Sequence, residues 1–257
     1  MSTSRQSLRA AKKGSGLTKI SVALLVLCLL ALAAVVIGLR MGEFSVRETF
    51  GYIEWIVYAS AGVALIAIVA AFLAIRNNRP AAIAVSVLTL IAALLLVWVP
   101  YSNRVALRAS PRLSDVTTDM RNPPLFEKTK LLRSASKARN TTDYSAAKAK
   151  LQRKHYPDIK PVILRVPTSE AFERALAAVK RFGWTVVTAD KLIGRIEAFE
   201  TSLVFGFVDD VSIRILSEGT GSRVDIRSSS RVGRRDAAMN ANRVRKLIRA
   251  ISQPQLQ

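Results

Sequence analysis

The residues with the most chemical potential cluster between 207 and 243. On one stretch Val211, Ile213 and Ile215 alternate with Asp210, Ser212 and Arg214; on the next Val224 and Ile226 alternate with Asp225, Arg227, Ser229 and Arg231. Alternation of period two places each polar set on one face of a strand. The intervening Glu218-Gly219-Thr220-Gly221 reads as a glycine-rich hairpin connection. If that turn closes tightly, Arg214 sits opposite Asp225, and Asp210 lies diagonal to Arg227 and Arg231. Such a face is either a solvated quilt of weak cross-strand ion pairs or a site for an anionic or polar ligand presented by Arg227 and Arg231. The candidate ligand-binding residues are Asp210, Arg214, Asp225, Arg227, Arg231, Asp236, Asn240 and Arg243. Asn240 falls on the apolar stripe of a C-terminal helix, where it requires a hydrogen-bond partner and reads as a fold-specifying contact before a site.

Catalytic arrangements are harder to assemble. His155 is the sole histidine, so a Ser-His-Asp triad has to recruit it from outside the motif, and what remains is a carboxylate pair or a Ser-Lys dyad. Asp209 and Asp210 are adjacent on a strand and therefore point to opposite faces. Cys28, the only cysteine, lies inside an apolar run, which removes disulfide frameworks and cysteine-based zinc sites. No cofactor and no metal is expected.

The elements that position these residues follow from alternation and capping. Val162 to Val166 reads as a strand, followed by a helix capped by Thr168 with an apolar stripe of Phe172, Leu176, Val179 and Phe182 and with Gly183 at its end. Strands follow at 184–189, 195–201, 208–216 and 223–232, and a last helix begins near Asp236 and buries Ala237, Ala241, Val244, Leu247 and Ile251. The order β-α-β-β-β-β-α predicts an α+β domain over 158–253, an antiparallel sheet with helices on one face.

The N-terminal part is of another kind. The formal charge is +21, yet mean hydropathy is +0.24, a combination that implies segregation along the chain. Residues 1–100 carry nine Lys and Arg against three Asp and Glu, and contain three uncharged or nearly uncharged runs at 19–39, 52–75 and 81–99. Each is close to the roughly 20 residues needed to cross a hydrocarbon core. Glu54 is the one charge in the second run, and Trp98, Pro100 and Tyr101 close the third as an interfacial belt and a helix stop. Ala31-Leu32-Ala33 has the small-x-small look of a signal-peptide cleavage site, but the apolar core exceeds the usual 7 to 15 residues. The fold expected is thus three transmembrane helices in 19–100, preceded by a basic arm over 1–18.

Seven basic residues (Arg5, Arg9, Lys12, Lys13, Lys19, Arg76 and Arg79) flank one side of the spans and five (Arg40, Arg47, Arg104, Arg108 and Arg112) the other. That bias predicts a cytoplasmic N-terminus and an exported domain. Pairs of small residues, Ser60 with Ala64, Ala67 with Ala71 and Ala70 with Ala74, offer close packing to a neighbouring helix or to a second membrane protein. Residues 101–157, broken by Pro111, Pro123, Pro124 and Pro157, read as a basic tether with one helix around 144–155. Its cations, among them Lys128, Lys130, Arg133, Lys137 and Arg139, suit anionic lipid headgroups or envelope polymers.

Three stretches together resemble a known pattern. Phe207-Val208-Asp209-Asp210-Val211-Ser212-Ile213-Arg214 with Val224 through Gly233, Asp236, Asn240 and Arg243; Leu113 through Asp119 with Asn122-Pro123-Pro124-Leu125-Phe126; and Tyr156-Pro157-Asp158-Ile159 are similar to a bacterial domain-of-unknown-function family, number 1499. The resemblance covers roughly 110–252. It implies a membrane-tethered envelope domain and brings no established catalytic residues. The chain departs from that family's pattern at Arg234 and Ala238, where the family resemblance calls for an aromatic residue and a glycine.

The leading functional expectation is a non-enzymatic envelope module that binds or scaffolds. An enzyme using carboxylates of the 207–236 motif is the second class. A nucleic-acid-binding domain is the third, disfavoured because it requires a cytoplasmic domain and aromatic-basic interleaving that the polar face lacks.

Overall fold

The computed structural model describes residues 2–136 and 138–253, with side chains from Gly16 onward. The side chains of Arg5, Arg9, Lys12 and Lys13, and Lys137 among the expected tether cations, therefore lie outside the described residues. The chain forms two compact units, Met1–Val105 and Ala106–Gln257.

The first unit is built from three helices, α1 (Ser2–Met41), α2 (Val46–Arg76) and α3 (Pro80–Ala109). Each carries a stretch long and apolar enough to cross a membrane. Ser45 opens α2 with a reciprocal capping box: its hydroxyl accepts from the Glu48 amide and the Glu48 carboxylate accepts from the Ser45 amide. The small residues of α2 are spent internally. Ser60, Ala64, Ala67, Ala70 and Ala74 are buried, and α2 packs closely along α1. Glu54 pairs with Arg104 of α3 at 3.1 Å. Pro100 does not stop α3, which runs on through Ala109. A proline removes only its own N–H, and one missing bond is tolerated in an apolar helix.

The second unit contains β1 (Asp115–Thr117), α4 (Lys128–Ala135), α5 (Ala146–His155), β2 (Val162–Leu164), α6 (Thr168–Arg181), β3 (Thr185–Asp190), β4 (Arg195–Thr201), β5 (Val208–Glu218), β6 (Gly221–Ser230) and α7 (Met239–Ser252). From β2 onward the expected β-α-β-β-β-β-α order is present. The sheet is antiparallel throughout, ordered β1-β6-β5-β4-β3, with β2 sharing the outer edge of β6 beside β1. The hairpin register places Arg214 opposite Asp225, as alternation and the tight turn require.

One sheet face is apolar and covered by α6 and α7. Ile196, Val211, Ile213, Ile215, Val224 and Ile226 meet Phe172, Ala175 and Val179 of α6 and Val244, Leu247 and Ile251 of α7. Burying each large aliphatic side chain contributes about 1.5–3 kcal/mol, so this layer is the main source of stability. Helix α6 begins one residue earlier than its expected cap: Pro167 occupies the cap position and Thr168 is already helical. Gly183 closes the helix at φ +73.

Two further expectations fail. Residues 115–136 and 138–157 are no tether; they supply β1, α4 and α5 and pack on the sheet. Hydropathy misses them because they are held by polar contacts, not by a greasy face. The last helix also starts later, at Met239, because Ala237 and Ala238 both lie in the left-handed region at φ +50 and +65, leaving Ala237 only partly buried. Asp236 still acts at this terminus, its carboxylate accepting from the amides of Ala238 and Asn240.

A left-handed alanine is strained by roughly 1–2 kcal/mol where glycine is not. Ala238→Gly is therefore expected to raise stability by about 1 kcal/mol in urea denaturation of the detergent-solubilised chain, offset in part by glycine's looser unfolded state. An unchanged or lowered midpoint would show that the turn is not strained there.

Candidate functional site: a sealed charged face and a cationic cleft

The second face of the sheet carries Asp210, Ser212 and Arg214 from β5, Asp225, Arg227 and Ser229 from β6, and Arg231 just beyond it. It is neither solvated nor open to a ligand. Residues 118–136 and 138–144 roof it, and Asp210, Asp225 and Arg227 are at most 1 % exposed.

Such a face can be buried only if each charge finds partners. Glu197 of β4 turns its carboxylate to the start of α4 and accepts from the amides of Glu127, Lys128 and Thr129 and from the Thr129 hydroxyl at 2.8–3.2 Å. That supplies the helix with the N-terminal cap and the negative charge its own sequence lacks. Helix α4 then brings Arg133 down onto Asp210, at 2.6 Å, where Arg231 meets the same carboxylate at 2.8 Å.

Arg227 does not take Asp210, its expected diagonal neighbour. Its guanidinium forks onto Asp115 of β1 at 2.8 and 2.9 Å and donates to the carbonyls of Pro124 and Thr142, between the rings of Phe126 and Tyr144. Burial beside Asp115 pushes the Tyr144 phenol well above its ordinary pKa, and its hydroxyl donates to Gln152. Arg214 and Arg223 bind Asp225 from either side and share Asp119 of the roof.

A separate polar network lies at the edge of the apolar face. Asn240 is saturated: its carbonyl oxygen accepts from Ser228 and Arg243, and its amide donates to Ser230, Ser114 and Asp236. Arg243 reaches Asp209 and Glu200, both at 2.7 Å. Asp236 has its pKa raised by burial, with the hydrogen bonds from Asn240 opposing the rise and Asp209 adding to it. The eight candidate residues thus fall into two internal networks separated by the sheet, and Asp209 and Asp210 belong to different ones. His155 ends α5, exposed. Among the described residues no group of His, Cys, Asp and Glu could hold a metal ion.

The open chemistry is next door. Where β1 begins and β6 ends, a cleft of about 240 Å³ is lined by Arg112, Ser114, Arg139, Asn140, Lys148 and Arg234, with Leu113, Thr141 and Ser229 between them. The amides of Arg139 and Asn140 both donate to the Arg231 carbonyl. The Asn140 side chain donates to Ser230 and Gly233 carbonyls at 2.9 and 2.7 Å, which fixes one wall. Lys148 is held by Asp115 and the Asp143 carbonyl. Arg112, Arg139 and Arg234 have no acidic partner among the described residues. Four cations converging from positions 112, 139, 148 and 234 have no local sequence signature, so they are invisible until the roof is known to fold.

The fold and its polar interior define a class: three helices long and apolar enough to cross a membrane, followed by an α+β domain whose charged sheet face is sealed by its own chain. Residues 115–251, more than half the chain, match the family described as protein of unknown function (DUF1499), and the chain belongs to that family. Among curated proteins none matches.

Removing one partner of a buried pair costs about 3–5 kcal/mol, whereas partly exposed pairs contribute about 1 kcal/mol or less. Arg227→Ala is expected to unfold the domain at far lower urea than Arg214→Ala, since the Arg214 side chain is 20 % exposed. Equal losses in the two variants would refute a sealed face.

Proposed function

We propose that the protein is a non-catalytic binding module of the bacterial envelope, anchored in the inner membrane with its α+β domain on the outer side, and that the cleft takes an anionic group of an envelope component. The observation that carries this reading is the contrast in pairing. The buried arginines 133, 227, 231 and 243 each hold a carboxylate, while three arginines around one concavity have no acidic partner among the described residues. Guanidinium groups recognise phosphate and carboxylate through paired hydrogen bonds, and the cleft has room for several water-sized volumes. The carboxylates of the 207–236 motif support binding over catalysis because Asp209, Asp210 and Asp225 are each engaged by arginine and buried. The sidedness rests on the basic flanks, seven against five.

Two measurements test this. With inorganic phosphate as probe and the full chain in non-ionic detergent, each of Arg112→Gln, Arg139→Gln and Arg234→Gln is expected to weaken binding by about tenfold, equivalent to roughly 1.4 kcal/mol. The variants should keep the parent's melting temperature in phosphate-free buffer; phosphate affinity that survives all three changes together contradicts the reading. A C-terminal reporter fusion active in the periplasm is expected, and one active only in the cytoplasm reverses the assigned side.

A further inference from the structure

The cleft shares its end of the sheet with a second uncommon feature. Between β4 and β5 the chain turns through Ser202-Leu203-Val204-Phe205-Gly206-Phe207. The turn is tied across its base: Ser202 and Phe207 exchange a backbone bond of 2.8 Å, the Phe207 amide also donates to the Ser202 hydroxyl, and the Gly206 amide donates to the Ser202 carbonyl. Phe205 and Phe207 stack at 5.5 Å. The tip is thus rigid and apolar, with Leu203 92 % and Val204 57 % exposed.

Three contacts place this tip. The Arg231 amide donates to the Val208 carbonyl just beyond the turn. Arg235, four residues on, donates to the carbonyls of Leu107, Arg108 and Ser110. Arg112 and Arg234 line the cleft beside them. The apolar tip, the cations and the point where the domain receives the chain therefore occupy one end. Arg112 follows Tyr101 by eleven residues, most of them helical at 1.5 Å per residue, so the link between the third apolar helix and this end of the domain is short.

Exposed apolar residues alone do not select a surface, since Leu192 and Ile193 in the β3–β4 turn are also exposed at the opposite end. What distinguishes the first end is the coincidence of an apolar tip with uncompensated arginines, the pairing that binds an interface of acyl chains and anionic headgroups.

We infer that this end of the domain docks on the lipid surface of the chain's own membrane, Leu203 and Val204 entering the headgroup–acyl boundary while Arg112, Arg139 and Arg234 take lipid phosphates. The cleft's part rests on the anion-binding reading above; the tip's part does not. Docking on the bilayer in cis makes the membrane both anchor and ligand, so the domain lies against the surface instead of reaching away from it.

The test uses the full chain in a Cys28→Ser background, carrying Leu203→Cys or Leu192→Cys labelled with an environment-sensitive fluorophore. The chains are reconstituted in nanodiscs of phosphatidylcholine with or without phosphatidylglycerol, with quencher-bearing lipids included. The label at 203 is expected to be quenched at least about twofold more than that at 192, more strongly with the anionic lipid, and the gain from that lipid is expected to vanish on Arg112→Gln, Arg139→Gln and Arg234→Gln combined. Equal quenching at both positions in both lipid compositions overturns the docking, even if the detergent-solubilised chain still binds inorganic phosphate. Preferential quenching at 203 that ignores both the anionic lipid and the three substitutions overturns the arginines' role on lipid.

Discussion

The domain depends on one constraint: a sheet face composed of charge has to be buried without leaving any of that charge unpaired. The Arg227–Asp115 pair expresses it most sharply, since both partners are 1 % exposed. An isolated ion in such a place costs several kcal/mol even after relaxation. Here the arginine is forked onto its carboxylate, capped by two carbonyls and flanked by two rings. Asp210 and Asp225 each receive two arginines, and Glu197 receives a helix terminus. The roof over the sheet is accordingly specified by hydrogen-bond geometry, which tolerates few alternative placements, while the opposite face is specified by volume.

The two faces were unequally legible in the sequence. Period-two alternation gave the strands of the hairpin, the register of Arg214 against Asp225 and the identity of the apolar face, because those depend on neighbours a few residues apart. The helices α6 and α7 were legible through their stripes, and the three apolar spans through length alone. The roof was not. Asp115, Arg133 and Glu197 find their partners 112, 77 and about 70 residues away, and nothing local announces such a match. A run of Lys, Arg, Ser and Pro reads as solvated linker when the carboxylates that receive it are out of view. The same blindness applied to the cleft, whose four cations come from four separate segments. Only the family resemblance, which already included Leu113 to Phe126, pointed to that stretch as part of the domain.

The membrane unit obeys simpler rules. Small residues on α2 let α1 approach, and large apolar side chains such as Leu27, Leu65, Phe72 and Leu95 remain on the outside, the reverse of a water-soluble bundle and the arrangement expected where lipid is the solvent. Ala238 lies in a left-handed conformation that glycine adopts without strain.

Glu197 as the cap of α4 has a temporal consequence. A helix of eight residues has little stability by itself, and its cap arrives about 70 residues later in the chain. Asp115 waits longer still, for an arginine 112 residues downstream. At 5–20 residues per second, that interval amounts to on the order of ten seconds of synthesis. Throughout it the roof must persist as a hydrated, cationic, unstructured thread, so the polarity that disguises it as a linker also keeps it from collapsing before the strands it will cover have emerged.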